Sequence, residues 1–278
     1  MSCNRAPGTG ATIPGPFINW AENVTANPLQ IYQPTTLDEL VAIVKQAEAS
    51  DLSVRAVGSG WSFTDIMVSP DYMVNTDKLN NILSETVTKQ DYNDPVFAAL
   101  TTAAKNRLLF HVEAGIKLRD LHDTLEAHYQ PAPGQSPPPG VMLNDDPGGT
   151  AQPHGYALKT LGASGGQSIA GAASTSVHGG DDRDAKGAAI QPVPDMIQGI
   201  YLVAAGGAEF FVQRGGQRAI VDSVLLAEME PCLSGRIISN DNVFNSAVVS
   251  MGRIGIIYSL VIEVREQYVL FENRFPST

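Results

Sequence analysis

The chain has 278 residues, of which 43% are hydrophobic, with a formal net charge of −11 and a pI near 4.8. That length can bury a sizeable core, in one large domain or two lobes. The acidic balance argues against nucleic acid as a partner, since phosphate contacts need Lys and Arg, and disfavours anionic membrane surfaces.

No apolar run approaches the roughly 18 residues of a membrane span, so no membrane is expected among the partners. The opening MSCNRAPGTG lacks the apolar stretch of a signal peptide, which gives a cytoplasmic expectation. Two cysteines, Cys3 and Cys232, make neither a metal site nor a disulfide framework by themselves. Asn23-Val24-Thr25 has the form of a glycosylation sequon, read as chance where no secretion signal accompanies it.

Residues 1–16, rich in Gly, Pro and Thr, read as an irregular arm. Short strands are expected at Phe17–Trp20 and Leu29–Tyr32. Thr36 then stands three residues before Glu39, a capping box. Leu37, Leu40, Val41, Val44 and Ala47 follow with helical period, so a helix is predicted from Leu37 to Ala49. Val54–Val57 is a strand entering a glycine loop, RAVGSGWSF at Arg55–Phe63. Met73–Thr76 is a further strand. A glycine loop at a strand end is where α/β units favour ligands.

Leu108–Ala114 reads as a strand and Leu118, Leu121 and Leu125 as a short amphipathic helix. Residues 130–155 carry many prolines and read as an exposed insertion. Ile197–Ala204 and Glu209–Arg214 form a predicted hairpin around Ala205-Gly206-Gly207-Ala208. Asp241–Val249 reads as a helix with Asp241 as N-cap. Met251–Val264 ends in a β-branched strand. No internal repeat is present.

A second small-residue stretch dominates the middle of the chain, LGASGGQSIAGAASTSVHGGD at Leu161–Asp181. It offers little side-chain bulk, many backbone N–H groups and several hydroxyls. That suits close backbone approach to a large polar ligand, although a flexible Gly/Ser linker has the same composition. Gly58-Ser59-Gly60 lacks the dinucleotide-fingerprint spacing, and no Walker lysine follows either loop. Composition alone therefore gives a polyanion or cofactor cradle without naming the cofactor.

Five pieces in order give the chain a resemblance. They are Trp20 with Asn23; Pro34-Thr35-Thr36 with Glu39-Leu40; Arg55 with Gly58-Ser59-Gly60 and Ser62-Phe63; Gly165 to Gly171 with Ser174-Thr175 and His178-Gly179; and Gly252 with Ile254 to Ile257. Over roughly residues 17–270 the chain resembles the FAD-binding (PCMH-type) domain of the vanillyl-alcohol oxidase flavoproteins, most of all the sugar-lactone and alditol oxidase branch.

The resemblance implies an α+β fold of two lobes holding FAD between them. Residues 17–95 would form the first lobe and 96–270 the second, after the arm 1–16 and before a tail 271–278. It implies a cofactor loop of Val57, Gly58, Ser59, Gly60, Trp61, Ser62 and Phe63, with Gly58 to Ser62 around the pyrophosphate. Gly162, Ser164, Gly165, Ser168, Gly171, Ser174, Ser176, His178 and Gly179 would line FAD from the other lobe. Ile257 would meet the adenine end through its backbone.

Two departures from the family pattern matter. Covalently flavinylated relatives have histidine at the position of Trp61, and tryptophan cannot form that bond, so FAD is expected to be non-covalent. The substrate (cap) domain of the family is expected to be largely missing. The catalytic base stays unassigned, because nothing places His111, His122, His128 or His154 at the flavin.

The resemblance thus implies an FAD-dependent oxidoreductase acting on an alcohol, polyol or sugar lactone by hydride transfer. A second polypeptide is implied as carrier of the substrate domain, giving a hetero-oligomer, and no metal is expected. Two alternatives stay open: a non-catalytic FAD-binding or assembly subunit, and a degenerate fold that binds no flavin.

Overall fold

The structure, a computed structural model, describes residues 3, 5–87, 92–127, 155–162, 164–180 and 191–267. The proline-rich insertion lies outside these residues except for Gly155, as do His128, His154 and the tail 271–278.

The first sheet is built from β1 (Ala11–Ile13), β4 (Gln30–Gln33), β5 (Val54–Val57) and β6 (Tyr72–Asn75), in the order β1-β4-β6-β5. Between the first two of these strands, β2 (Phe17–Ile18) and β3 (Thr25–Ala26) form a small antiparallel ribbon. β4 and β5 both pair in parallel with β6, and the helix α1 (Leu37–Ala49) connects them. Thr36 caps α1, its hydroxyl accepting from the Glu39 N–H at 3.2 Å. The Glu39 carboxylate reaches back one residue further than a capping box requires, to the N–H and hydroxyl of Thr35.

The second sheet has the order β12-β11-β10-β13-β8-β7. Its members are β7 (Ile82–Glu85), β8 (Leu109–Glu113), β10 (Ile197–Ala204), β11 (Ala208–Gln213), β12 (Ile237–Ser239) and β13 (Ile256–Glu263). β10 and β11 form the expected hairpin. A separate pair joins β9 (Tyr156–Ala157) to β14 (Arg265–Glu266).

Helices cover both faces of the large sheet. α3 (Leu118–Ala127), α4 (Ile169–Ser174) and α6 (Asp241–Val248) contribute to one apolar cluster with Phe110, Ile200 and Leu260. α2 (Pro95–Ala98) and α5 (Ser223–Met229) contribute to another with Phe211 and Val261. Coverage on two faces is why β8, β10 and β13 are buried along almost their whole length instead of at alternate residues. Each large side chain buried this way contributes about 1.5–3 kcal/mol.

α1 joins the lobes. Its Leu40, Val41 and Val44 pack on Tyr32, Tyr72 and Val74 of the first sheet, in one cluster with Val203 and Ile256 of the second. A further junction lies at Gly115, just after β8. Its N–H donates to the Leu79 carbonyl at 2.7 Å, and a β-carbon there would run into the Thr76 carbonyl.

Polar groups inside the large sheet are paired. His111 is buried on β8, with Nδ1 2.5 Å from the Asp94 carboxylate and Nε2 2.8 Å from the Ser259 hydroxyl. This has the composition of a nucleophilic triad, but Ser259 is wholly inaccessible, so the group is a structural network in the core. Glu113 accepts from the N–H and Nδ2 of Asn81 and from the Tyr258 hydroxyl.

The structure corrects the reading of the arm. Cys3 and Cys232 form a disulfide. Arg5 grips Glu209 through two nitrogens and also meets Asp38, Glu230 and Tyr201. β1 adds an edge strand to the first sheet. The arm is therefore tied to both sheets by covalent, ionic and backbone bonds. Ile82–Glu85 pairs with β8, so the change from first to second sheet falls between Asn75 and Ile82, ahead of the expected 95/96 boundary. Asn240, one residue earlier than expected, caps α6 by accepting from the N–H groups of Asn242 and Val243.

Candidate functional site

β5 ends at Val57 and the chain runs directly into Gly58-Ser59-Gly60-Trp61-Ser62. Gly60 is left-handed, with φ of 66°, and its carbonyl accepts from the Trp20 N–H at 2.9 Å. A β-carbon at Gly60 would find ordinary contacts at 3.6 to 3.7 Å, so the turn, not the space, requires glycine there. Gly58 is the opposite case: its backbone is unstrained, but a β-carbon would collide with the Ser168 hydroxyl. Asn19 holds the loop from behind, donating to the Ser62 carbonyl at 2.9 Å and to Asn23 Oδ1 at 2.7 Å. Asn23 in turn donates to the Phe63 carbonyl at 2.9 Å.

The second small-residue stretch is docked on the turn between β8 and α3. The N–H groups of Leu118 and Arg119 donate to the carbonyls of Gln167 and Gly165, both at 2.9 Å. Those of Ile169 and Ala170 donate to Ile116 and Ala114, at 2.9 and 3.2 Å. The stretch then enters α4, burying Ile169, Ala172 and Ala173. These bonds exclude the linker reading of this segment.

Between the two segments lies a cavity of about 450 Å³. Of the expected cofactor residues, Val57, Gly58, Ser59, Gly60, Trp61, Ser62, Phe63, Ser168, Gly171, Ser174 and Ile257 line it. The Trp61 indole covers Gly166, where a β-carbon would come within 2.8 Å of the ring, and stacks on Trp20 with centroids 4.3 Å apart.

Six expected residues lie elsewhere. Gly162 packs on Val177, and Gly165 on Arg119. The Ser164 hydroxyl accepts from the Gly166 N–H at 3.3 Å. Ser176, with φ of 55°, turns the chain out of α4. His178 is exposed and pairs through Nδ1 with the carbonyl of Gly179, itself off the cavity wall. Gly162, Ser164 and Gly165 precede α4 and lie off the cavity wall, while α4 turns Ser176, His178 and Gly179 away from it.

The wall also holds residues that the sequence reading left unassigned, among them Arg55, Thr64, Thr76, Gln167, Met251 and Gly255. Arg55 was visible as the first residue of the glycine loop. It donates to the Ile66 carbonyl and, at 3.3 Å, to the Gly252 carbonyl, so it ties the loop to the segment before β13. Burial first, then the charge of Arg253, lowers its pKa. An anion in the cavity would relieve both pressures. Gln167 presents a buried Oε1 with no hydrogen-bond partner. Among the described residues, the wall has no carboxylate, histidine, lysine or tyrosine.

These features fit FAD. Glycines at 58 and 171 keep the cradle open beside Ser168, hydroxyls and an unpaired amide oxygen offer polar contacts, and Arg55 supplies positive charge. Apolar side chains stand exposed around the loop, with Trp20 58% and Phe63 66% accessible, and Met251 50%.

Comparison with known proteins agrees. Residues 28–143 match the family described as FAD binding domain. D-arabinono-1,4-lactone oxidase of Eremothecium gossypii is 29% identical over 248 residues, covering 89% of this chain and 34% of the relative. The Saccharomyces cerevisiae protein of the same name is 27% identical, covering 92% and 37%. L-gulonolactone oxidase of Mus musculus is 24% identical, covering 94% and 43%. The chain thus spans little more than a third to two fifths of the length of these relatives. In fold it is similar to cholesterol oxidase from B. sterolicum, with a TM-score of 0.59 at 15% identity over 92% of this chain and 37% of that one. Xylooligosaccharide oxidase from Myceliophthora thermophila gives 0.55 at 13%, over 90% and 38%. A glycine-lined cradle between two lobes, a matching domain and relatives of one kind point the same way: the chain is similar to the vanillyl-alcohol oxidase flavoproteins of the sugar-lactone oxidase branch, and its fold is that of their PCMH-type FAD-binding domain.

Proposed function

We propose that this chain holds FAD, without a covalent bond, for the oxidation of a sugar lactone or a related polyol. FAD, when bound, supplies the acceptor for a hydride leaving the carbinol carbon. The protein's part is to bind and orient. Gly58 to Ser62 approach the cofactor through backbone, Arg55 meets its negative charge, and Trp61 with Gly166 closes one wall. The carrying observation is that two glycine segments far apart in sequence, touching at Gly58 and Ser168, enclose one cavity. Lactone oxidation is supported by the relatives named for it.

The test is anaerobic reduction. Protein loaded with FAD is mixed with D-arabinono-1,4-lactone, L-gulonolactone or a simple polyol, and flavin absorbance is followed. Bleaching by a lactone supports the reading; absorbance unchanged by every donor removes it.

A second reading is favoured by one observation. The described cavity wall offers no group able to take a proton from a hydroxyl, and its rim exposes Phe63 and Met251. In this reading the chain is the FAD-binding part, and the residues that act on substrate are carried on further polypeptide that covers the rim. Flavin-loaded protein that stays oxidised alone, and is bleached only when that polypeptide is added, selects it.

A further inference from the structure

Lys117 lies outside the cavity wall and outside every motif of the family resemblance, yet it touches both glycine segments. Its backbone bridges to Ser168 in the second. Its Nζ stands 2.8 Å from Ser59 Oγ in the first and 2.5 Å from Asp77 Oδ1. The side chain is largely covered, at 23% exposure.

The chemistry of the contact is one-directional. An ammonium has three hydrogens and no lone pair, so Lys117 donates and Ser59 Oγ accepts. The Ser59 hydroxyl hydrogen must then point away from Lys117. Ser59 lines the cavity, and among the described residues its hydroxyl has no other hydrogen-bond partner. A hydroxyl fixed in this way is a ready donor to an anionic oxygen in the cavity, and hydrogen bonds to charged groups are the strong ones. Asp77 anchors the ammonium, and its own N–H is held by Asn75 Oδ1 at 2.8 Å.

We propose that Lys117 is a positioning residue for the cofactor. It orients the Ser59 hydroxyl as a donor to the pyrophosphate, adds a positive charge beside Ser59 in the same segment as Arg55, and couples the two glycine segments so that they bind FAD as one unit. The inference rests on the FAD assignment.

The experiment titrates FAD into the apoprotein, read by quenching of flavin fluorescence, at low and high salt. Wild type is compared with Lys117→Met, Lys117→Arg, Ser59→Ala and the Lys117→Met/Ser59→Ala double variant, with thermal melts for each. Lys117→Met is expected to weaken FAD roughly ten- to hundredfold, the effect of losing a hydrogen bond to a charged group. It should also flatten the salt dependence, with Lys117→Arg recovering most of the affinity. The double variant should bind about as Lys117→Met does, because the two residues act through one hydroxyl. Equal affinity in Lys117→Met and wild type overturns the proposal, as do single effects that simply add. If Lys117→Met fails to fold, Ser59→Ala decides: unchanged affinity and salt slope overturn it. Wild type that binds no FAD overturns the cofactor assignment itself.

Discussion

Gly115 meets the backbone carbonyl of Thr76 at a distance that leaves no room for any side chain between them. Thr76 and Ala114 both line the cavity, so this contact sets the spacing of its two walls. Gly115→Ala must push the lobes apart. The expected outcome is a loss of about 1–3 kcal/mol, typical of overpacking, together with weaker FAD retention. Urea melts and flavin content per chain check both; a variant with wild-type values on each would show that the walls are spaced elsewhere.

Gly58 and Gly60 should fail for different reasons. At Gly58 even alanine collides with Ser168, so Gly58→Ala should lose FAD. At Gly60 alanine fits, and only the left-handed backbone resists it, so Gly60→Ala should bind more weakly than wild type and Gly60→Val worse still. Gly180→Ala is the control, since among the described residues a β-carbon there meets nothing and its φ is ordinary. Gly216 would be a poor control, because its φ is 58°. Flavin content after desalting ranks the set; the reverse order of Gly58→Ala and Gly60→Ala would contradict the geometry.

Trp61 offers no nucleophile to the isoalloxazine, and its indole is engaged with Trp20 and Gly166. Acid precipitation of the yellow protein should leave the flavin in the supernatant. Colour that stays in a washed pellet would mean a covalent link at some other residue.

Glu263 gives a pH dependence with a definite sign. Burial alone would push its carboxyl up, but hydrogen bonds from Arg107 and Lys159, each at 2.8 Å, outweigh burial and hold it below the ordinary 4.5. A carboxyl lowered in the folded state contributes stability that is fully present above about pH 4.5 and lost as pH falls through its folded value. Glu263→Gln should therefore be less stable at neutral pH and show a shallower fall on acidification. Urea midpoints between about pH 6 and 3 measure this; parallel curves for the two proteins would rule it out.

The elements legible in the sequence were those with local causes. Thr36 and Glu39 announce α1, and the β-branched run at Ile256–Glu263 announces β13. Both glycine segments were legible because small residues leave a compositional mark. Lys117 was not legible, since its role depends on Ser59 and Asp77 arriving from the other lobe. Nor was the Cys3–Cys232 pair, whose partners are 229 residues apart. β1 was hidden because a three-residue edge strand has almost no pattern of its own. His178 shows the opposite case: its sequence neighbours suggest the flavin, while its place after α4 is off the described cavity wall.

The position of β13 has a consequence for how the chain is made. The last long strand among the described residues is placed between β10 and β8, in the interior of the large sheet. A ribosome must therefore release residue 263 before β8 and β10, made long before, can be joined. Until then both expose unpaired backbone along apolar strands, the condition that invites association between nascent chains. Protection during synthesis would have to come from a chaperone or from speed, and a stop codon before Ile256 should yield aggregate, not a smaller soluble domain.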